Sequence, residues 1–365
     1  MKSPFFDELY DEVQKLGGFH NAHLHMCRAG SYLETKKSLA KASDSHLSIA
    51  AKHGLIPMIH SSESFQGERY KERMDAFITL MIEAGTTRAD TLVDIASSTL
   101  GISTFEQFLE LRRKYESKIK IKLGSYCPMG FRDDFPDQWK LVEETAPRAD
   151  FIGALPERDD QRMYPEHIGF RESVCRVLEL SASTKKPVHM HVDQKNDPAE
   201  NACEIVLEEM ESRKDPQQDE PQVWFIHAIS PSAYEESRFR ELVSRMKAMN
   251  VGVICCPSAA ISMRQLRSVS TPTHNSIARV LEFLANDIPV RLASDNINDI
   301  TSPAGTADLM DEIFVFCNAI RFYEIPILAR LGAGKRLNLE QKEQIRNHLE
   351  LDVRETEKAI KFTRS

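Results

Sequence analysis

Two histidines two residues apart, His23 and His25, head a set of side chains able to hold a metal ion. On a β-strand that spacing puts both imidazoles on one face, where they can converge on one ion. A second His-x-His pair stands at His189 and His191, and His227 and Asp295 each close an apolar run. Spacing by itself is a weak signal, because ordinary packing explains a lone pair and the chain holds 12 histidines. Order along the chain strengthens it, since His191, His227 and Asp295 all fall at the ends of strand-like segments. Imidazoles with one carboxylate suit zinc or iron and leave a position for water, which His227 could orient or deprotonate. For His227 in isolation, a hydrogen-bonded core histidine is the plainer reading.

The segments that must position these residues alternate strand and helix. Strand-like runs are expected at Gly18–His25, Ala89–Ile95, Ile119–Ser125, Phe151–Leu155, Val188–Asp193, Val223–His227, Val251–Cys256 and Val290–Ala293. Helical spacing of apolar residues marks Thr35–Ala51, Arg69–Ala84, Thr104–Tyr115, Gln138–Ala146, Gly169–Ser183, Ala199–Ser212, Tyr234–Asn250 and Asn275–Asn286. A Gly-, Pro- and Ser-punctuated loop, Gly54–Gly67, could cover a site. Eight such units make an α/β protein of the (β/α)8 TIM barrel class, whose active sites lie at the C-terminal ends of the strands. Two amphipathic stretches, Ala307–Arg330 and Leu339–Phe362, are expected as extra C-terminal helices packed on the barrel. The reading is one domain over residues 1–365, with the barrel at about 15–305 and the helical tail at about 306–365.

Composition excludes other classes. Hydrophobic residues at 41% and charged residues at 28% are ordinary for a soluble globular chain, and no apolar run reaches the roughly 20 residues of a membrane span. The net charge of −8 offers no electrostatic footprint for nucleic acid, so a small molecule is the expected partner, with a homo-oligomer left open. Seven cysteines without a CxxC suggest neither disulfides nor a cysteine-rich zinc site, and Cys255 and Cys256 read as core thiols. Met1–Tyr10 carries no readable signal or transit peptide, which makes a cytoplasmic location the default expectation.

With these residues in order, the chain resembles the amidohydrolase superfamily, specifically its cytosine deaminase-like branch and more distantly adenosine deaminase. The segment "HLH" at His23–His25 looks like the family's first-strand pair, "HVDQ" at His191–Gln194 like its fifth-strand "HVDE", and "IHAIS" holds the sixth-strand histidine. "ASDNINDITSPAGTADLM" from Ala293 is similar to the family's closing segment, and "GTTRADTLVDI" from Gly85 and "ADFIGALPERDD" from Ala149 resemble strands two and four. The resemblance implies one divalent transition metal per chain, zinc or iron, on His23, His25, His191 and Asp295. It also implies His227 beside the metal's water.

Three departures bear on chemistry. Where the family has a carboxylate after strand five, this chain has Gln194, and an amide cannot shuttle a proton. Where close relatives place a pyrimidine-binding glutamine, it has Met129, which argues against cytosine as substrate. The small β-sandwich that many relatives build from both termini is expected to be absent. The leading expectation is hydrolysis of a C–N bond in a small polar, heterocyclic or anionic molecule. Metal-bound hydroxide would attack a trigonal carbon, His227 would orient it, Asp295 would accept its proton, and Gln194 would bind substrate. A deaminase with a displaced proton shuttle, a TatD-like phosphoesterase and a metal-holding barrel without catalysis are the competing readings.

Several further residues are candidates. Arg28, just after the histidine pair, offers a guanidinium fork to an anionic group or is merely a surface arginine. Asn296 follows Asp295, and His274 and Asn275 follow strand seven, where substrate or a helix cap could use them. Asp193 shares the inward parity of His191 and is either catalytic or a buried structural carboxylate. Glu157 ends strand four, where a second metal could be bridged.

Overall fold

The computed structural model describes residues 3–38, 48–213, 218–263 and 277–364. Eight parallel strands follow one another in sequence order: β1 (Phe19–Leu24), β2 (Thr86–Asp94), β3 (Lys120–Tyr126), β4 (Phe151–Ala154), β5 (Val188–Val192), β6 (Val223–His227), β7 (Gly252–Cys255) and β8 (Val290–Leu292). A parallel bridge between Leu24 and Asp295 brings β1 to the chain beyond β8. There the His25 amide donates to the Asp295 carbonyl at 3.1 Å, and the Asp295 amide to the His23 carbonyl at 3.0 Å. The architecture is the expected TIM barrel, each strand lying within a few residues of its sequence position.

Parity along the strands explains the layering. In β5, Val188, Met190 and Val192 face the surrounding helices and join the large outer core, while His189 and His191 point the other way. In β6, Val223 and Phe225 belong to that outer core, and Trp224 and Ile226 belong to a small inner cluster with Ala22, Ile254, Cys256 and Ala293. Cys255 and Cys256 are buried free thiols. Burying each large apolar side chain in these layers stabilises the fold by ~1.5–3 kcal/mol.

Two helical expectations and one loop need correction. The helix expected over Thr35–Ala51 is instead a helix at Tyr32–Ser38 and a separate one at Ile49–His53. The second begins after Ser48, which is extended and accepts from the Ala51 amide through Oγ at 3.2 Å, a cap that starts a helix rather than continuing one. The loop expected at Gly54–Gly67 contains a helix, Ile56–His60, and a 3-10 turn, Glu63–Phe65. In the tail, Ala307–Arg330 divides into Leu309–Ile320 and Ile325–Gly332, because Arg321 turns left-handed (φ 55°) and Pro326 opens the next helix. The final helix, Leu339–Arg364, runs as expected. Among the described residues, no helix is long and apolar enough to cross a membrane.

Candidate metal centre

His23, His25, His191 and Asp295 come together at the C-terminal end of the barrel, all buried, with one donor atom from each lying within 4.8 Å of the others. His191 Nε2 is 3.2 Å from His23 Nε2 and 3.4 Å from His25 Nε2, and His25 Nε2 is 3.2 Å from Asp295 Oδ1. The back of the His191 ring faces the Ala154 carbonyl at 2.9 Å. A carbonyl only accepts, so His191 carries its proton on Nδ1 and presents a bare lone pair at Nε2. Asp295 Oδ1 and His227 Nδ1 are buried without a hydrogen-bond partner. Bare nitrogen and orphaned carboxylate oxygen converging on one point are what a cation satisfies, so the residues present fit a divalent metal.

His25 is the exception in this set. Its Nδ1 accepts from Arg28, which leaves its own proton on Nε2, directed at His191 Nε2. Taking a metal there requires that proton to leave. Arg28 is itself buried, with Nε 3.2 Å from Asp94 Oδ2, and Asp94 also bonds His60 Nε2 at 2.9 Å. Against the cost of burial, Arg28 and His60 hold the Asp94 carboxyl well below its usual range. Arg28 thus lines the site as one half of a buried ion pair, and breaking such a pair costs about 3–5 kcal/mol.

Burial depresses every histidine of the cluster, reinforced by neighbouring imidazoles at His23 and His191 and by Arg28 at His25. His191 falls to about 3 and His227 to about 4, so both stay neutral, the state that binds metal or accepts a proton. His227 sits with Nε2 3.8 Å from Asp295 Oδ2. Strand parity would send its side chain outward with Val223 and Phe225, yet it lines the cavity because its backbone is left-handed, φ 74°. A non-glycine residue held there stores strain that concentrates at functional sites. The same device acts on Asp193, φ 51°, but in the opposite sense. Its carboxylate accepts from the Ala202 and Cys203 amides at 2.7 and 3.0 Å, capping helix Ala202–Arg213 instead of entering the site. Of the two readings of Asp193, the buried structural carboxylate is the one the structure supports.

Beside the cluster lies a cavity of about 420 Å³ lined by His25, His191, His227 and Asp295, by Arg28, Tyr126, Leu155, Gln194 and Asn296, and by Ser48, Lys52 and His53. Helix Ile49–His53 and its cap thus line the cavity, and the Gly54–Gly67 segment does not. Gln194 donates through Nε2 to Glu157 Oε2 at 3.1 Å, and Lys195 lies 3.7 Å from the same carboxylate. Glu157 stands behind Gln194 and outside the four-residue cluster; burial and the nearby Glu200 raise it to about 7. Asn296 lines the cavity and donates to Asp299 at 2.5 Å. Met129 does not line it, and packs instead against the outer core. His274 and Asn275 lie outside the described residues.

Sequence reasoning missed His53, Tyr126, Asp94 and His60. Asp94 at the end of β2 was findable by the rule that picked Asp295; nothing local marked His53.

No family model matches the sequence. Among solved structures, the chain is similar to 5-methylcytosine deaminase from Klebsiella pneumoniae, with a TM-score of 0.71, 20% identity, and 84% of this chain matched to 69% of that one. The chain shares its barrel fold with that enzyme. N-isopropylammelide isopropylaminohydrolase from Burkholderia multivorans matches with a TM-score of 0.64 and 16% identity, over 91% of this chain and 82% of that one. An uncharacterized protein of Haemophilus influenzae is 26% identical over 279 residues, 75% of this chain and 93% of its own length.

Proposed function

We propose that this protein is a metal-dependent hydrolase that cleaves a C–N bond in a small, polar, uncharged molecule. The observation that carries the reading is the buried His23, His25, His191 and Asp295 set, with its orphaned oxygen, on the floor of a cavity sized for a small ligand. A single zinc or iron ion held there would polarise a water for attack on a trigonal carbon. The chain's own groups do the rest: Asp295 draws a proton from the attacking water and His227 orients that water. Gln194, fixed through its amide nitrogen by Glu157, turns its carbonyl oxygen toward the substrate. That polarity selects a substrate with an N–H edge.

An uncharged substrate follows from Arg28. Its pairing with Asp94 cancels the positive charge that an anionic group would seek, so the arginine positions His25 rather than anchoring a carboxylate. Aminohydrolysis of an amino-heterocycle is the second reading, favoured by the fold shared with 5-methylcytosine deaminase and the aminohydrolase of Burkholderia. Metal analysis of the purified protein tests the first step. A panel of cyclic imides, N-alkylamino-triazines, aminopyrimidines and phosphoesters tests the second. Turnover confined to phosphoesters, or a protein without bound metal, overturns the proposal.

A further inference from the structure

We propose that His53 is a catalytic residue of this site, the group that carries the proton to the nitrogen that leaves. The inference rests on the hydrolase reading and supplies the step which that reading lacks, since Gln194 stands where a proton-carrying carboxylate is expected. His53 ends helix Ile49–His53 and lines the same cavity as His25, His191, His227 and Asp295. The Arg28 and Arg158 guanidiniums act on it electrostatically, and among the described residues it has no hydrogen-bond partner.

Elimination points to the same group. Lys195 pairs with Glu200 at 3.1 Å, Lys52 donates to the Thr301 carbonyl at 3.0 Å, and Arg28 is shared between Asp94 and His25. Burial pushes the Tyr126 phenol far above neutrality. Gln194 has no proton to exchange. Leaving aside the proposed ligands, the described cavity residues able to gain and lose a proton are His227, 3.8 Å from Asp295 Oδ2, where the attacking water belongs, and His53. Burial first, then the surrounding cations, lower the His53 imidazolium to about 3, so the ring rests neutral and readily gives up any proton it accepts.

The step balances without a further reactant. Water's oxygen bonds to the substrate carbon while one of its protons goes to Asp295. As the C–N bond breaks, its electron pair stays on nitrogen, the hydroxyl proton on the same carbon passes to His53, and the carbonyl forms. His53 delivers that proton to the nitrogen, and Asp295 releases its own to solvent.

The test uses the metal-loaded full chain. Histidine-labelled ¹⁵N spectra of the zinc and cobalt(II) forms are compared, with the His53 signals identified by their absence from His53→Gln. They should belong to a neutral ring at pH 7 and be displaced by cobalt; undisplaced or imidazolium signals overturn the assignment, whatever the substrate. In parallel, His53→Gln and His53→Asn are assayed on the panel compound that the wild type turns over fastest. The expected result is a loss of about 10²–10⁴ in kcat with metal content unchanged and KM little altered. Wild-type kcat in both variants overturns the role of His53 and leaves the hydrolase reading intact. A wild type that holds its metal and turns over nothing in the panel overturns both.

Discussion

The two ends of the barrel bury the same kinds of side chain and use them in opposite ways. Near the N-terminal ends of the strands, His20 Nε2 meets Asp90 Oδ2 at 3.0 Å, and Arg88 grips the same carboxylate with two bonds of 2.8 and 2.7 Å. Arg291 stacks on Trp224 close by. At the C-terminal ends, three imidazoles and Asp295 crowd together with Asp295 Oδ1 and His227 Nδ1 unpaired. A buried polar group with every partner in place is an element of stability, whereas one left unpaired costs free energy that a ligand can recover. Burial and residue type are alike at the two ends; satisfaction distinguishes them.

Breaking the C-terminal end should give the largest effect. Asp295→Ala and His191→Ala are expected to abolish both bound metal and activity, measured by elemental analysis and turnover on the panel. Full metal content in both variants would exclude the ligand set. Next in size, His227→Ala should keep its metal and lose about 10²–10⁴ in kcat, because it removes the group beside the water and not a ligand. The matching change at the other end, Asp90→Ala, should lower unfolding stability by about 3–5 kcal/mol, leaving His20 buried and Arg88 half-buried without their acceptor. Its metal stoichiometry should stay at the wild-type value, and loss of metal there would erase the contrast between the ends.

A pH titration sharpens the comparison further. The metal-free protein keeps His189, His191 and His227 neutral down to about 3, 3 and 4, while the unfolded chain takes up protons below the ordinary histidine value. The unfolded state then binds more protons, so stability falls as pH drops from about 6.5 toward 4, by about 1 kcal/mol per histidine per pH unit. Thermal melts across that window should show the decline, and a flat profile would mean that the cluster is already protonated. The smallest expected effect is that of Gln194→Glu, which should leave native activity unchanged or lowered. A rise of 10²–10⁴ would mark the chain as a deaminase that has lost its acid.

Much of this was legible in the residues. The eight strands stand within a few positions of their expected places, because period-2 alternation and turn residues are local properties that survive without tertiary context. The helix breaks at Ser48 and Arg321 were less legible, since a cap or a left-handed residue interrupts an apolar spacing that continues on both sides. Arg28 was ambiguous for a different reason: its partner Asp94 is 66 residues away, and only folding brings the charges together.

The sequence by itself determined the barrel and nominated His23, His25, His191 and Asp295, since residue type, spacing and strand order are written along one dimension. Only the tertiary structure decided which way the strand-end residues face. By parity, His227 belongs outside and Asp193 inside, and left-handed backbones at φ 74° and 51° reverse both assignments. The physical reason is that a residue leaving a strand is no longer bound to the pleat. Its side chain goes where the packed neighbours offer a partner, a helix N-terminus for Asp193 and the cavity beside Asp295 for His227.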